Sequence, residues 1–163
     1  MKKSKAKISP CLQPAPKVLV SCRDLNGEEN ALVVAYCCNC SYDPPMLMVG
    51  IVPSRYSYHM VKNTGSFVVN ITGKNNKEMY DYLGSHSRKD GDKFAAIHVN
   101  TVPGTIISAP ILSDCPINIE CTVVDSIKTG SHEMFVGKIE YIHADDGLVL
   151  ENGNIDFSKV DLL

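Results

Sequence analysis

Pro53-Ser54-Arg55-Tyr56-Ser57-Tyr58 places two hydroxyls and a guanidinium within four residues, at the start of a segment with helical spacing. Hydroxyls, an Arg and the free backbone N–H groups of a helix start make a cradle for a phosphate. Upstream, Asn30-Ala-Leu-Val-Val-Ala-Tyr36 and the run from Met46 to Val52 are apolar and strand-like. Such a wall suits a flat, mostly apolar ring. Taken alone, Ser54, Arg55 and Ser57 read as an ordinary turn with a helix cap. The apolar strand before them turns the reading towards a phosphorylated aromatic cofactor.

Other polar residues extend that reading. Asn30, at the start of a strand, is either a simple turn residue or an amide that donates and accepts at the polar edge of a ring. Ser85 to Phe94 reads as a charged, solvated loop, within which Lys93 is the better functional candidate. A Lys point charge there suits the anionic edge of a reduced flavin. His132 follows Thr129-Gly130-Ser131 at the start of a strand. It is either structural or a hydrogen-bonding group beside a redox cofactor. Cys37, Cys38 and Cys40 crowd one strand end. Strand alternation sends Cys37 away from the other two, so no metal site is expected; small buried side chains are the plain reading, a redox role the other. No G-x-S-x-G elbow, G-x-G-x-x-G or Walker pattern occurs, so neither hydrolase chemistry nor a doubly wound nucleotide fold is supported.

The elements that must position these groups are mostly strands. Lys17 to Arg23, Ala31 to Cys38 and Met46 to Val52 read as three strands, all too apolar to have a wet face and therefore interior. Asn26-Gly27 marks a hairpin between the first two. Ser57 is expected to cap a helix reaching Asn63 and stopped by Gly65. Ser66 to Thr72 returns to strand, and Asn76 to Leu83 is a second short helix before Gly84. Ile117 to Ile127 alternates, with Ile117, Ile119, Cys121 and Val123 on one face and Asn118, Glu120 and Thr122 on the other. Met134 to Ile142 is the last long strand. The end of the chain, Asn152 to Leu163, carries no strong pattern. Strands with two short helices and regular turns predict a closed or half-closed β-barrel with helices at its mouth.

The 163 residues predict one domain, residues 10–163, after a disordered basic start, residues 1–9. With a net charge of −2 and no basic stripe beyond that start, nucleic acid is not an expected partner. No apolar run approaches membrane-spanning length, and the prolines at 10, 14 and 16 interrupt any signal-peptide core. Seven cysteines, an odd number in a chain too large to need disulfides, fit a reducing cytoplasm.

An ordered set of segments carries a family resemblance. It comprises Val18-Leu-Val-Ser-Cys22, Asn30-Ala31 through Tyr36, Asp43-Pro-Pro45, the segment from Pro53 to Ser57, Gly65-Ser-Phe-Val-Val-Asn70, Gly84-x-x-Ser87-Arg88 with Asp92-Lys-Phe94, Ala109-Pro110, and Gly130-x-His132-x-x-Phe135-x-Gly137. Over residues 10 to 160 the chain resembles the flavin reductase-like family of FMN-binding split-barrel proteins, and within it the flavoredoxin branch. The resemblance implies a mostly β, homodimeric split barrel with short helices that holds FMN near the subunit interface. It implies an oxidoreductase that passes electrons from NADH, NADPH or another donor through FMN to a flavin, a metal complex or a redox-protein partner. A non-catalytic flavin- or haem-binding carrier or sensor is the alternative on the same fold. By that resemblance Asn30 and Tyr36 fall at the ring, Ser54, Arg55 and Ser57 at the phosphate, and Ala31, Val33 and Cys37 among the cofactor-binding residues. Lys93 and His132 fall at the ring or ribityl chain, with the two subunits as their sources. Similar sequences often carry Trp at position 36 and Thr at 33; Tyr36 and Val33 reduce stacking area and remove a hydrogen bond there.

Overall fold

The structure, a computed structural model, describes residues 2–163. β1 (Val18–Arg23) and β2 (Glu29–Val34) form the expected hairpin, with Arg23 opposite Glu29. The turn between them is held by the Asp24 carboxylate, which accepts from the N–H groups of Asn26 and Glu28 at 2.9 and 2.8 Å.

The apolar run after Asn30 is not a single strand. It breaks at Ala35 and Tyr36, and Cys37–Ser41 forms a separate strand, β3, paired with β4 (Met46–Ile51). Next come β5 (Ser66–Ile71), the short β6 (Thr101–Val102) and β7 (Ile111–Leu112), and two long strands, β8 (Ile117–Thr129) and β9 (His132–Ala144). The main sheet runs β2-β1-β5-β8-β9-β4-β3. β2, expected inside, is therefore one edge and β3 the other, yet only two residues separate them. The three steps from Val34 to Cys37 reach about 10 Å at full extension. The sheet must curl until its edges approach, and the β3–β4 ladder runs on into the connection, where the Gly50 N–H donates to the Tyr36 carbonyl (2.8 Å). The apolar run continues in residue type only, since Tyr36, Cys38 and Cys40 are exposed.

The barrel interior is filled from many strands at once. Val18, Val20 and Cys22 of β1 meet Val49, Ile51, Phe67, Val69, Cys121 and Phe135. Full burial of each large side chain contributes roughly 1.5–3 kcal/mol. α1 (Tyr56–Thr64) closes one end with Tyr58, Met60 and Val61. On the outer face of β1, Leu19 packs instead with Ala31, Leu83, Leu112 and Cys115. Both faces of β1 are thus dry, which is why it reads as unbroken hydrophobicity.

The polar face of β8 is also covered. Asn118 donates to Asn70 Oδ1 (2.8 Å) and to the Leu112 carbonyl (3.0 Å). Glu120, fully buried, accepts the N–H groups of Thr105, Ile106 and Ile107 at 2.7, 2.8 and 3.0 Å and His143 Nε2 at 2.6 Å. Burial pushes its carboxyl up, but His143 and the three backbone donors outweigh that and hold it below the usual range. One carboxylate thereby anchors an otherwise irregular loop to the sheet.

The helices differ from expectation in detail. α1 begins two residues earlier, with Arg55 rather than Ser57 at its N-cap and no side chain capping it. Its C-terminus is as expected: Gly65 adopts φ 67°, and its N–H reaches the Val61 carbonyl at 2.9 Å. α2 (Lys77–Ser85) runs through Gly84 instead of stopping before it. A Cβ at Gly84 would lie 2.8 Å from Val33 Cγ2, so glycine there lets the last turn of α2 lie against β2. The expected solvated loop is partly helical. Arg88–Asp90 forms a 3-10 turn, and Asp92 caps the short α3 (Lys93–Ala96) by accepting from Phe94 and Ala95.

Residues 2–17 are exposed and form no helix or strand; Met1, within the basic start expected over residues 1–9, lies outside the described residues. The C-terminal segment is stitched to the end of β5: Leu163 donates to the Thr72 carbonyl and Lys74 to that of Asp161. All seven cysteines are free thiols. Cys38 and Cys40, read as small buried residues, are exposed on edge strand β3, while Cys37 packs against the core, where burial pushes its thiol up to about 12. Among the described residues no helix is long and apolar enough to cross a membrane.

Candidate functional site

Six of the ten candidate residues line one cleft of 350 Å³: Asn30, Val33, Ser54, Arg55, Ser57 and Lys93. β2 forms one wall, the start of α1 a second, and the end of α2 with the 3-10 turn the third. Asn30 is buried, and its Nδ2 donates to Ser57 Oγ at 2.8 Å. Its Oδ1 has no partner. A buried carboxamide with half its capacity unused is costly unless a ligand completes it. Ser57 is buried too, so the pair forms the polar floor at the base of α1.

Above that floor stands positive charge. Arg55 and Lys89 line the cleft, and neither side chain makes an ion pair or hydrogen bond among the described residues. Arg88, which sequence reasoning left in the solvated loop, lies with Nε 2.9 Å from Glu28 Oε1. The Tyr56 hydroxyl donates to the same oxygen at 2.9 Å, so Glu28 ties the 3-10 turn to the first residue of α1. The uncapped start of α1 adds unsatisfied N–H groups and the positive end of the helix dipole. Free cations, hydroxyls and helix N–H groups converge here as an anion site requires.

Lys93 is the other departure from a solvated loop, being only 4% exposed. Its ammonium donates to the carbonyls of Ala31 (2.6 Å) and Leu83 (3.0 Å), which leaves one proton for a ligand. Burial first, with the Arg55 and Arg88 charges adding to it, lowers the group to about 8. Ala31 contributes through that backbone contact, its side chain being buried.

Tyr36, Cys37 and His132 are not brought into this cleft. Tyr36 stands at the barrel seam, with its ring edge-on to His132 at 4.8 Å between centroids. Cys37 turns into the barrel. Next to His132, Glu133 is buried and unforeseen by pattern. It accepts from the Tyr58 hydroxyl, from Ser126 Oγ (2.7 Å) and from Lys62 Nζ (3.2 Å). The Tyr58 hydrogen bond first, then Ser126 and Lys62, hold its carboxyl down at about 2. This cluster fixes α1, and with it the cradle, against the β8–β9 hairpin. The stability it contributes is complete above the ordinary carboxylate value of 4.5 and is lost as pH falls from there towards about 2. Urea midpoints followed across that window are expected to fall more steeply for wild type than for Glu133→Gln.

A curled antiparallel barrel with a cationic, hydroxyl-lined cleft at a helix start is a frame for a phosphorylated ring. The Flavin reductase like domain matches residues 12–158, and the chain belongs to that family. Flavoredoxin of Desulfovibrio vulgaris (Miyazaki F) superposes with a TM-score of 0.90 at 29% identity, over 99% of this chain and 86% of its own. An uncharacterized protein of Aeropyrum pernix is 28% identical over 83% of this chain, which spans only 51% of that protein. The NADH:riboflavin 5'-phosphate oxidoreductase of Streptomyces pristinaespiralis is 24% identical over 76% of this chain and 67% of its own length.

Proposed function

We propose that the protein binds FMN in the cleft between β2, α1 and α2 and works as a flavin-dependent oxidoreductase. The observation that carries this reading is the convergence of Asn30, Ser54, Arg55, Ser57 and Lys93, with an unused buried carboxamide and two unpaired cations, in a chain of the flavin reductase-like family. Ser54, Arg55, Ser57 and the first N–H groups of α1 hold the phosphate. Asn30 meets the polar edge of the ring, Val33 packs against it, and Lys93 holds a cation beside it. Bound FMN supplies hydride and single-electron transfer; the chain supplies orientation and charge.

Residues 10–163 act as the single functional domain. The working form is a cytoplasmic homodimer, in which Tyr36 and His132 of a second copy complete the ring site. Exposed Val124, Ile127, Tyr141 and Ile142 on the β8–β9 hairpin supply apolar surface for that contact. Electrons enter from NADH, NADPH or another donor and leave to a flavin, a metal complex or a redox partner.

The test is an anaerobic absorption spectrum of the purified protein titrated with NADH and with NADPH. Bleaching of a bound-flavin band, followed by steady nicotinamide oxidation when an acceptor is added, is the expected result. A flavin band that neither nucleotide bleaches would favour a carrier, and failure to bind flavin would remove the reading.

A further inference from the structure

The fold sorts the seven free thiols into two groups. Cys22, Cys115 and Cys121 are buried, and Cys37 turns into the barrel. Burial, the largest cause at each, pushes the thiols of Cys22, Cys37 and Cys115 up to about 12 and raises that of Cys121 as well. A thiol held protonated is a poor nucleophile, so these four are inert. Cys11, Cys38 and Cys40 are exposed. Cys11 stands alone on the segment before β1, whereas Cys38 and Cys40 stand one residue apart on β3.

β3 is an edge of the sheet, so no strand covers its outer side. Cys38 pairs with Met48 and Asn39 with Leu47, but the next pair is Ser41 with Met46. Cys40 is therefore the extra residue of a β-bulge. In a regular strand, residues two apart point to the same face with their Cα atoms about 6.4–6.8 Å apart, at the upper limit for a disulfide. A bulge bends the strand, and the bend shortens that span. Partial burial first, and then Cys38, push the Cys40 thiol up, so the two sulfurs lie within electrostatic reach of each other.

We propose that Cys38 and Cys40 are a reversible redox pair, which reduces a low-molecular-weight disulfide and closes to a Cys38–Cys40 disulfide across the bulge. The thiolate of one cysteine attacks a sulfur of the incoming disulfide and expels one small thiolate, which takes up a proton. The thiolate of the other then attacks the protein sulfur of the mixed disulfide and expels the second. One S–S bond breaks and one forms; the protein dithiol is oxidised by two electrons and the incoming disulfide is reduced to two thiols. A disulfide that spans a single residue is strained, and strained, exposed disulfides are the readily reduced ones. The pair therefore suits a transient redox role and not a structural staple. The exchange needs only the two sulfurs and goes beyond the flavin reading, on which it does not depend.

The test is treatment of the folded, reduced full chain with glutathione disulfide, followed by mass spectrometry with fragmentation. Wild type is expected to lose about 2 Da within residues 38–40, to regain it with dithiothreitol, and to carry a glutathione adduct of about 305 Da on Cys11 only. Cys38→Ser and Cys40→Ser should each lack the bond and instead retain the adduct on the remaining cysteine, because nothing resolves it. Stable adducts on both Cys38 and Cys40 of wild type would overturn the pair. So would a bond from either one to Cys37, to Cys11 or to a second chain, or no reaction at residues 38–40. The wild-type masses decide by themselves should a variant fail to fold.

Discussion

Arg55→Ala is expected to weaken FMN binding by roughly 10- to 100-fold and to leave riboflavin binding unchanged. The guanidinium belongs to the N-cap residue of α1, lines the cleft and makes no ion pair or hydrogen bond among the described residues. Its removal therefore costs the fold little and the ligand a great deal. A charge-assisted hydrogen bond to phosphate contributes about 1.5–3 kcal/mol, and each 1.4 kcal/mol is about tenfold in affinity. Arg55→Lys should recover part of the loss, because the charge remains while the bidentate fork is gone. Fluorescence titration of both flavins with the three proteins checks this. Equal weakening for FMN and riboflavin would mean that Arg55 shapes the cleft and does not contact a phosphate.

Glu120→Gln is expected to lower stability by about 3–4 kcal/mol. The carboxylate accepts four hydrogen bonds in a fully buried position. An amide keeps the shape but turns one acceptor into a donor, which then faces backbone N–H groups that have no other partner. For a chain of this size each kcal/mol is worth roughly 2–4 °C, so Tm should fall by about 6–16 °C. The loop from 103 to 110 should lose protection first, because Glu120 is what fastens it to β8. Hydrogen exchange on wild type and variant reads this directly. A Tm within a degree or two of wild type would show that His143 and the loop backbone find other partners.

The hairpin, the C-terminal stop of α1 and the strands β4, β5 and β9 were legible because each has a local signature. Asp24-Leu-Asn-Gly27 closes one turn, and Gly65 ends α1 as its left-handed conformation requires. The break at Ala35–Tyr36 was not legible. Alanine, tyrosine and cysteine continue the apolar run in composition, although Ala35, Tyr36 and Cys38 are exposed where the chain leaves β2 for the edge strand β3. Ser57 was misplaced as a cap because hydroxyl caps are common, whereas here the hydroxyl is drawn inside by Asn30, distant by 27 residues. The same limit hid Glu120 and Glu133. Strand alternation placed Glu120 on the face opposite Ile119 and Cys121, but nothing local says that a remote loop covers that face. Lys93 was legible as a functional candidate, but its burial was not, because its sequence neighbours are charged. Its acceptors, the carbonyls of Ala31 and Leu83, belong to other elements. The cradle was legible as residue types in a row, and the cleft was not, since three separate elements build it.

The most direct test of the central claim is the affinity of wild-type protein for FMN against riboflavin, measured by flavin fluorescence quenching at fixed ionic strength. The two ligands share the ring and ribityl chain and differ by the phosphate alone. Contacts from Ser54, Arg55, Ser57 and the α1 N–H groups should together favour FMN by about 2–4 kcal/mol, roughly 30- to 800-fold. Equal affinities would contradict the phosphate cradle and, with it, the assignment of this cleft to FMN.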